Sequence, residues 1–428
     1  MTTPYERLDA WVDAHFEEEV SFLQALVQVP TDTPPGNNAP HAERTAQLLE
    51  GFGFVAEKHP VPEAEVKAYG LESITNLIVR RRYGGGADAS GSRPGRVIAL
   101  NVHGDVVPPG EGWVHGPYAA EIEDGKLYGR AAAVSKSDFA SYTFAVRALE
   151  SLQAKLQSAV ELHFTYDEEF GGEYGPGWLL RNKLTKPDLL LAAGFSYQVV
   201  TAHNGCLQLE VTVRGKMAHA AIPDTGVDAL QGAVVILNAL YHQNTLYKQV
   251  TSGVEGITHP YLNVGRIEGG TNTNVVPGKV VFKLDRRMIP EENPAEIETT
   301  LRRVIAEAAA TFNAEAQGGT EGITVEIRRI LLAHALKPLP GNRPLVEALQ
   351  KHGEAVFGEP IPTSGTPLYT DVRLYGEAGV PAAIYGAGPR TVFESNAKRA
   401  DEHVVLEDLR RATKVVARTL FDLLSPAP

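Results

Sequence analysis

Hydrophobic positions recur every three to four residues between Tyr5 and Val29, at Leu8, Trp11, Val12, Phe16, Val20, Leu23, Leu26 and Val27. The spacing predicts one long amphipathic helix ended by Pro30. A second helix is predicted over about 41–52 and a strand over 76–81. The run Val97, Ile98, Ala99, Leu100 and Val102 predicts a buried strand that stops at His103-Gly104-Asp105, before Pro108, Pro109 and Gly110. Residues 84–95, GGGADASGSRPG, read as a flexible hairpin tip without chemistry. Asp124-Gly125 marks another hairpin. A helix starts near Ser137, with Ser135, Ser137 or Asp138 as its cap. Strands are predicted at 160–166 and 189–193, the first ending in Asp167-Glu168-Glu169 and then Gly171-Gly172.

Near residue 200 the pattern changes. LQLEVTVRG (207–215) alternates strictly, with Leu207, Leu209, Val211 and Val213 on one face and Gln208, Glu210, Thr212 and Arg214 on the other. That is an antiparallel strand with one wet face, and its edge is a candidate for pairing with a second copy. Helices at 227–242 and 294–312 and strands at 262–268, 279–286 and 323–329 complete a compact α+β module. From about 330 the α/β character returns, with helices at 344–357 and 406–424. The predicted fold is therefore α/β: a domain built on a central, mostly parallel sheet flanked by helices (1–200 and 330–428). It is interrupted by a smaller domain (201–329) with a four-stranded antiparallel sheet and two helices.

Composition narrows the function. The 428 residues are 43% hydrophobic and 21% charged, with a net charge of −12, which argues against nucleic acid or an acidic membrane surface as partner. No apolar run approaches the length of a membrane span, and MTTPYERLDAWVD lacks the apolar core of a signal peptide. Cys206 is the only cysteine, so there is no internal disulfide and no cysteine-cluster metal site. A cytoplasmic location and a small-molecule substrate are expected.

Chemistry gathers where strands end. His103 and Asp105 close one strand, and Glu168 and Glu169 close another, at the carboxyl edge where open α/β sheets bind ligands. A neutral imidazole oriented by a carboxylate suits a metal ion.

The motifs HGDVVPPGEGW, YGRAAAVSK, TYDEEFGG, RGKMAHAAIPDTGVDAL, GGTNTNVVPGKVVFKLDRRMIP, TDVR and YGAG occur in an order that resembles the M20 family of metallohydrolases. That family includes acetylornithine deacetylase, succinyl-diaminopimelate desuccinylase, aminoacylase and carboxypeptidase G2. The resemblance implies a catalytic domain, a lid domain that also forms a homodimer, and two metals. It implies His103 and Glu169 as metal ligands, Asp105 as the carboxylate orienting His103, and Glu168 as the base that activates water. It implies His219 as a lid residue acting on the other subunit's site and polarising the scissile carbonyl, and Asn274 and Arg287 as holders of the substrate's carboxylate or oxyanion.

Three positions depart from the family pattern: Val134 stands where a bridging Asp is expected, Phe195 where an acid is expected, and Lys398 where a His is expected. Three outcomes stay open. One zinc or manganese ion per subunit persists on His103, Glu169 and a donor such as Asp138, Asp105, His115 or His403. Alternatively Lys398 replaces a metal as a fixed positive charge near the substrate, paired with Glu169. Or the site is inactive. The leading expectation is a metal-assisted hydrolase of a C–N bond in a small carboxylated substrate. The alternatives are an aminohydrolase of 5-nitroanthranilate type and a non-catalytic binding or scaffold protein.

Overall fold

The computed structural model describes residues 2–84, 95–315, 322–391 and 393–426. The predicted tip at 84–95 lies, apart from its end glycines, outside the described residues. The chain divides into two compact units: Met1–Thr201 with Pro338–Ser364 and Thr370–Pro428, and Ala202–Lys337 with Gly365–Tyr369. The predicted return at 330 falls inside the strand Thr324–Ala333, so the second unit runs further than the hydrophobic pattern indicated.

The first unit is built on a large sheet of eight strands, in the order Ala56–Pro60, Thr75–Tyr83, Ser158–Thr165, Val97–His103, Leu189–Ala192, Ala382–Ile384, Val199–His203 and Thr363–Thr366. Parallel pairing runs through the centre, where Val97–His103 lies between Ser158–Thr165 and Leu189–Ala192, and the latter pairs with Ala382–Ile384. Thr75–Tyr83 pairs antiparallel with both its neighbours, so the sheet is mixed. Every residue of Val97–His103 is buried, as a strand covered on both faces requires.

Helices cover the sheet. Lys136–Ser151 packs Phe139, Phe144 and Leu149 into the same core as Leu409, Val416 and Leu420 of Leu406–Leu424. Each such side chain contributes about 1.5–3 kcal/mol by leaving water. The single helix expected over Tyr5–Val29 is two, Pro4–Ala14 and Phe16–Val27. His15 breaks it: its ring stacks on Trp11 at 3.9 Å and its Nδ1 lies 2.8 Å from the Trp11 carbonyl oxygen.

In the second unit the strand order is Tyr261–Gly269, Lys279–Met288, Gly205–Arg214, Thr324–Ala333, antiparallel throughout. Leu207, Leu209, Val211 and Val213 are fully buried beneath the helices Ala229–Tyr247 and Pro294–Glu315, as the alternation predicts. One expectation is corrected. The alternating strand is central, paired on both sides, and so has no free edge; the edges belong to Tyr261–Gly269 and Thr324–Ala333. Among the described residues no helix is long and apolar enough to cross a membrane.

Candidate active site

Two neighbouring parallel strands set the site. His103 and Thr165 are register partners at their carboxyl ends, so the turns that follow meet. Asp105 joins those turns: Oδ1 accepts the Glu168 amide at 3.2 Å and Oδ2 the Glu169 amide at 2.9 Å. Asp105 is fully buried. His103 Nδ1 bonds the Asp105 carbonyl oxygen at 3.0 Å and faces the Asp105 carboxylate at 3.6 Å, so backbone and side chain of Asp105 both meet the ring.

That bond directs His103 Nε2 outward, 4.0 Å from Glu168 Oε2. Burial works against a charged imidazole, but Glu168, Asp105 and Glu169 outweigh it and hold the ring up to about 10. Burial likewise pushes the Glu168 carboxyl up, with His103 opposing and Glu169 adding to the rise. Glu169 Oε2 lies 2.6 Å from Lys398 Nζ, and the Glu169 side chain is nearly buried while that of Lys398 is half-exposed.

The helix expected to be capped by Ser135, Ser137 or Asp138 starts at Lys136 without a side-chain cap. Ser135 Oγ is bound to the His103 backbone instead, donating to its carbonyl at 2.9 Å. Asp138, expected among the metal ligands, is buried with its oxygens bonded to backbone: Oδ1 accepts the Ala387 amide at 2.6 Å and the carboxylate also takes the Gly194 amide. It ties two loops together, and burial pushes it up to about 7. The displaced histidines are also occupied. His115 stacks on Tyr128 at 3.8 Å and contacts Glu123 and Asp401, while His403 Nδ1 sits on the Asp401 carbonyl at 2.9 Å.

The structure adds Asp371, a residue absent from the expected site although it lies in the TDVR motif. It is 4% exposed, and His103 and Asp105 are the charges acting most on its carboxyl once burial has pushed it up. A buried hydrogen-bond chain reaches it. Glu161 Oε2 lies 2.9 Å from His163 Nε2, His163 Nδ1 lies 2.7 Å from the Tyr375 hydroxyl, and that hydroxyl donates to Asn101 Oδ1 at 3.2 Å. The Asn101 side chain in turn hydrogen-bonds Asp371. Burial opposes the Glu161 carboxylate, but the His163 ring, the strongest of the influences that overcome it, holds the carboxyl down to about 2. A signal existed in the sequence: Asn101, Glu161 and His163 are polar residues in otherwise apolar strands.

The remaining expected residues belong to the second unit. His219 pairs with Val275 in a two-stranded ribbon, and the Ala220 amide donates to the Asn274 carbonyl, so His219 and Asn274 are neighbours. His219 is exposed, its Nδ1 accepting the Ala221 amide at 3.1 Å. Arg287 is half-buried, bonded through Nε to Asp285 Oδ1 at 2.7 Å, with its guanidinium over the Tyr369 ring.

The sequence profile of Peptidase family M20/M25/M40 matches residues 99–422. The chain belongs to this family of hydrolases. The M20 protein is 28% identical over 391 residues to succinyl-diaminopimelate desuccinylase 1 of Alteromonas mediterranea, covering 88% of this chain and 89% of the relative. To acetylornithine deacetylase of Myxococcus xanthus it is 28% identical over 393 residues, covering 90% and 92%. Its fold superposes on an M20 family metallo-carboxypeptidase of Sulfolobus solfataricus with a TM-score of 0.73 at 19% identity, covering 94% of this chain and 98% of the other. A Bacillus subtilis protein described as a dinuclear metal-binding peptidase of the M20 family superposes at 0.66 and 17% identity, covering 96% and 99%.

The residues of this M20 protein do not fit such a metal centre. Catalytic sites supply about three protein ligands. Among the described residues no three His, Cys, Asp or Glu side chains form a group that holds a metal ion. The Asp105 and Asp138 carboxylates are bound to amides, and Glu169 is bound to an ammonium. Val134 and Phe195 carry no donor atom. The expected zinc or manganese ion on His103, Glu169 and Asp138 is accordingly set aside.

Proposed function

We propose that this M20 protein hydrolyses a C–N bond, of amide or N-acyl type, in a small carboxylated substrate, with Glu168 as the base that activates water. The observation that carries this reading is the Glu168 carboxylate at a strand's carboxyl end, 4.0 Å from His103 Nε2, its backbone anchored by Asp105. Glu168 takes a proton from water as the water oxygen bonds to the carbonyl carbon, and returns it to the nitrogen as the C–N bond breaks. His103 keeps a positive charge beside that carboxylate and favours its ionised form. Relatives named as a deacetylase and a desuccinylase support an acyl group as the part removed.

In this reading the first unit is the catalytic domain and the second is a lid through which a homodimer forms. Arg287 and Asn274 then bind the substrate's carboxylate or oxyanion, and His219 serves the site of the second subunit. A cytoplasmic location and a small-molecule partner belong to the same proposal. The test is a screen of N-acetyl and N-succinyl amino acids, dipeptides and aminobenzoates, with wild type and Glu168→Gln. Release of an acyl group or amino acid by wild type, lost in Glu168→Gln, supports the reading. Undiminished turnover in Glu168→Gln, or ammonia released only from aminobenzoates, contradicts it.

A further inference from the structure

We propose that the Lys398 ammonium is the electrophilic group of this site, receiving the oxyanion of the hydrolysed carbonyl in the role a divalent ion would fill; the inference rests on the reading of the chain as a C–N hydrolase. Three observations meet at this residue.

The first is how it is held. Lys398 has a left-handed backbone, φ 62°, a conformation unfavourable for a residue other than glycine. Its amide lies 3.3 Å from Glu402 Oε2. Glu402 is anchored by a buried ion pair with Arg130 at 2.6 Å and also accepts the amides of Ala133 and Val134. One buried carboxylate thus fixes both the root of the lysine and the turn carrying Val134.

The second is its free bonding capacity. An ammonium has three N–H donors. Among the described residues the hydrogen-bond partner of Lys398 Nζ is Glu169, so two donors remain on a half-exposed group. Glu169 Oε1 is buried with no partner, so Glu169 anchors the ammonium through one oxygen alone.

The third is the charge around it. The acidic turn that carries Glu168 and Glu169, pinned by Asp105, holds the ammonium through the 2.6 Å Glu169 contact. A fixed cation beside Glu168 stabilises charge as it develops on the substrate oxygen, the kind of electrostatic contribution typically worth a hundredfold or more in rate.

The chemistry balances with water alone. The water O–H bond breaks and its proton goes to Glu168. The C–O bond forms, and the carbonyl π electrons move to the oxygen that Lys398 Nζ–H holds. Collapse of the intermediate then breaks the C–N bond, and the nitrogen leaves with the proton from Glu168.

The test separates this proposal from the broader reading by measuring binding as well as turnover. The probe is a phosphinate analogue of an N-acetyl amino acid, which carries a tetrahedral anion, titrated calorimetrically in metal-free buffer with chelator. Wild type is expected to bind it and Lys398→Met to bind at least tenfold more weakly, with unchanged circular dichroism and melting temperature. Lys398→Arg, which keeps the charge, should recover part of the affinity. Hydrolysis of any substrate found for wild type should be indifferent to chelator and fall about a hundredfold or more in Lys398→Met. Equal phosphinate binding by Lys398→Met, no binding by wild type, or a requirement for added zinc or manganese overturns the proposal. Phosphinate binding that depends on Lys398, in a wild type that hydrolyses nothing, upholds this site and overturns the hydrolase reading instead.

Discussion

The Nζ of Lys398 lies 2.6 Å from Oε2 of Glu169. In a site made from a metallohydrolase fold, that contact gives a carboxylate an ammonium partner. Val134 and Phe195 carry no donor, and the Asp105 and Asp138 carboxylates are bound to backbone amides.

The donor deficit is expected to be reversible. Lys398→His with Val134→Asp adds two ligands near His103 and Glu169 and removes a repelling charge. Elemental analysis of the double variant, purified with zinc and then dialysed, should find about one or more equivalents per chain. A double variant that folds and stays as metal-poor as wild type would show that the deficit is not what keeps metal out.

Asp371 is expected to matter through its placement. Tyr375→Phe removes the hydroxyl that links His163 to Asn101 and leaves two buried polar atoms unpaired, so it should cost about 1–3 kcal/mol of stability. Asp371→Asn, nearly isosteric, should leave the melting temperature close to wild type and lower kcat/KM by about tenfold or more. Urea denaturation and steady-state kinetics check the two, and full activity in Asp371→Asn would remove that residue from the site.

The buried pair Arg130–Glu402 is expected to be structurally costly to break. Both side chains are 1% exposed, so Arg130→Met leaves a buried carboxylate without its partner and should destabilise by about 3–5 kcal/mol. A loss below about 1 kcal/mol by chemical denaturation would mean that the amides of Ala133, Val134 and Lys398 suffice for Glu402.

Glu19 sets a pH dependence. Burial pushes its carboxyl up to about 8, against the opposing Thr413 hydroxyl and Arg147 charge. In the unfolded chain this group titrates near 4.3. Between those values the folded state holds a proton that the unfolded state has lost, so this group's contribution to stability falls as pH rises through the window. Glu19→Gln removes that slope and should be the more stable protein at pH 8 and above. Denaturation midpoints at pH 5 and pH 8.5 check this, and a constant difference between variant and wild type would contradict it.

Much of this was legible in the chain. Alternation at 207–215 located the second unit's central strand, because one face is buried and the period is two. It could not tell that strand from an edge, since pairing partners leave no mark on a strand's own hydrophobic pattern. The helix break at His15 was invisible for a related reason: a side chain bonding back to the Trp11 carbonyl does not disturb hydrophobic spacing. At the site, the acidic and histidine motifs pointed to His103, Glu168 and Glu169, which the structure brings together at adjacent strand ends. Asp138 was misread because ligand identity was judged by residue type alone, whereas its oxygens are taken by amides from residues far along the chain. Asp371 escaped because its partner Asn101 and the chain behind it, Tyr375 and His163, lie on separate elements, Asn101 and His163 meeting only through sheet register.

In the proposed site Lys398 stands where a metal ion would act. The measurement that bears on it most directly is elemental analysis of wild-type protein, purified with zinc and manganese in the medium and dialysed against metal-free buffer. Well under about one equivalent of any divalent metal per chain is expected, because among the described residues no three-donor group is available to retain it. Retention of one or two equivalents, lost from the His103→Ala variant, would contradict it.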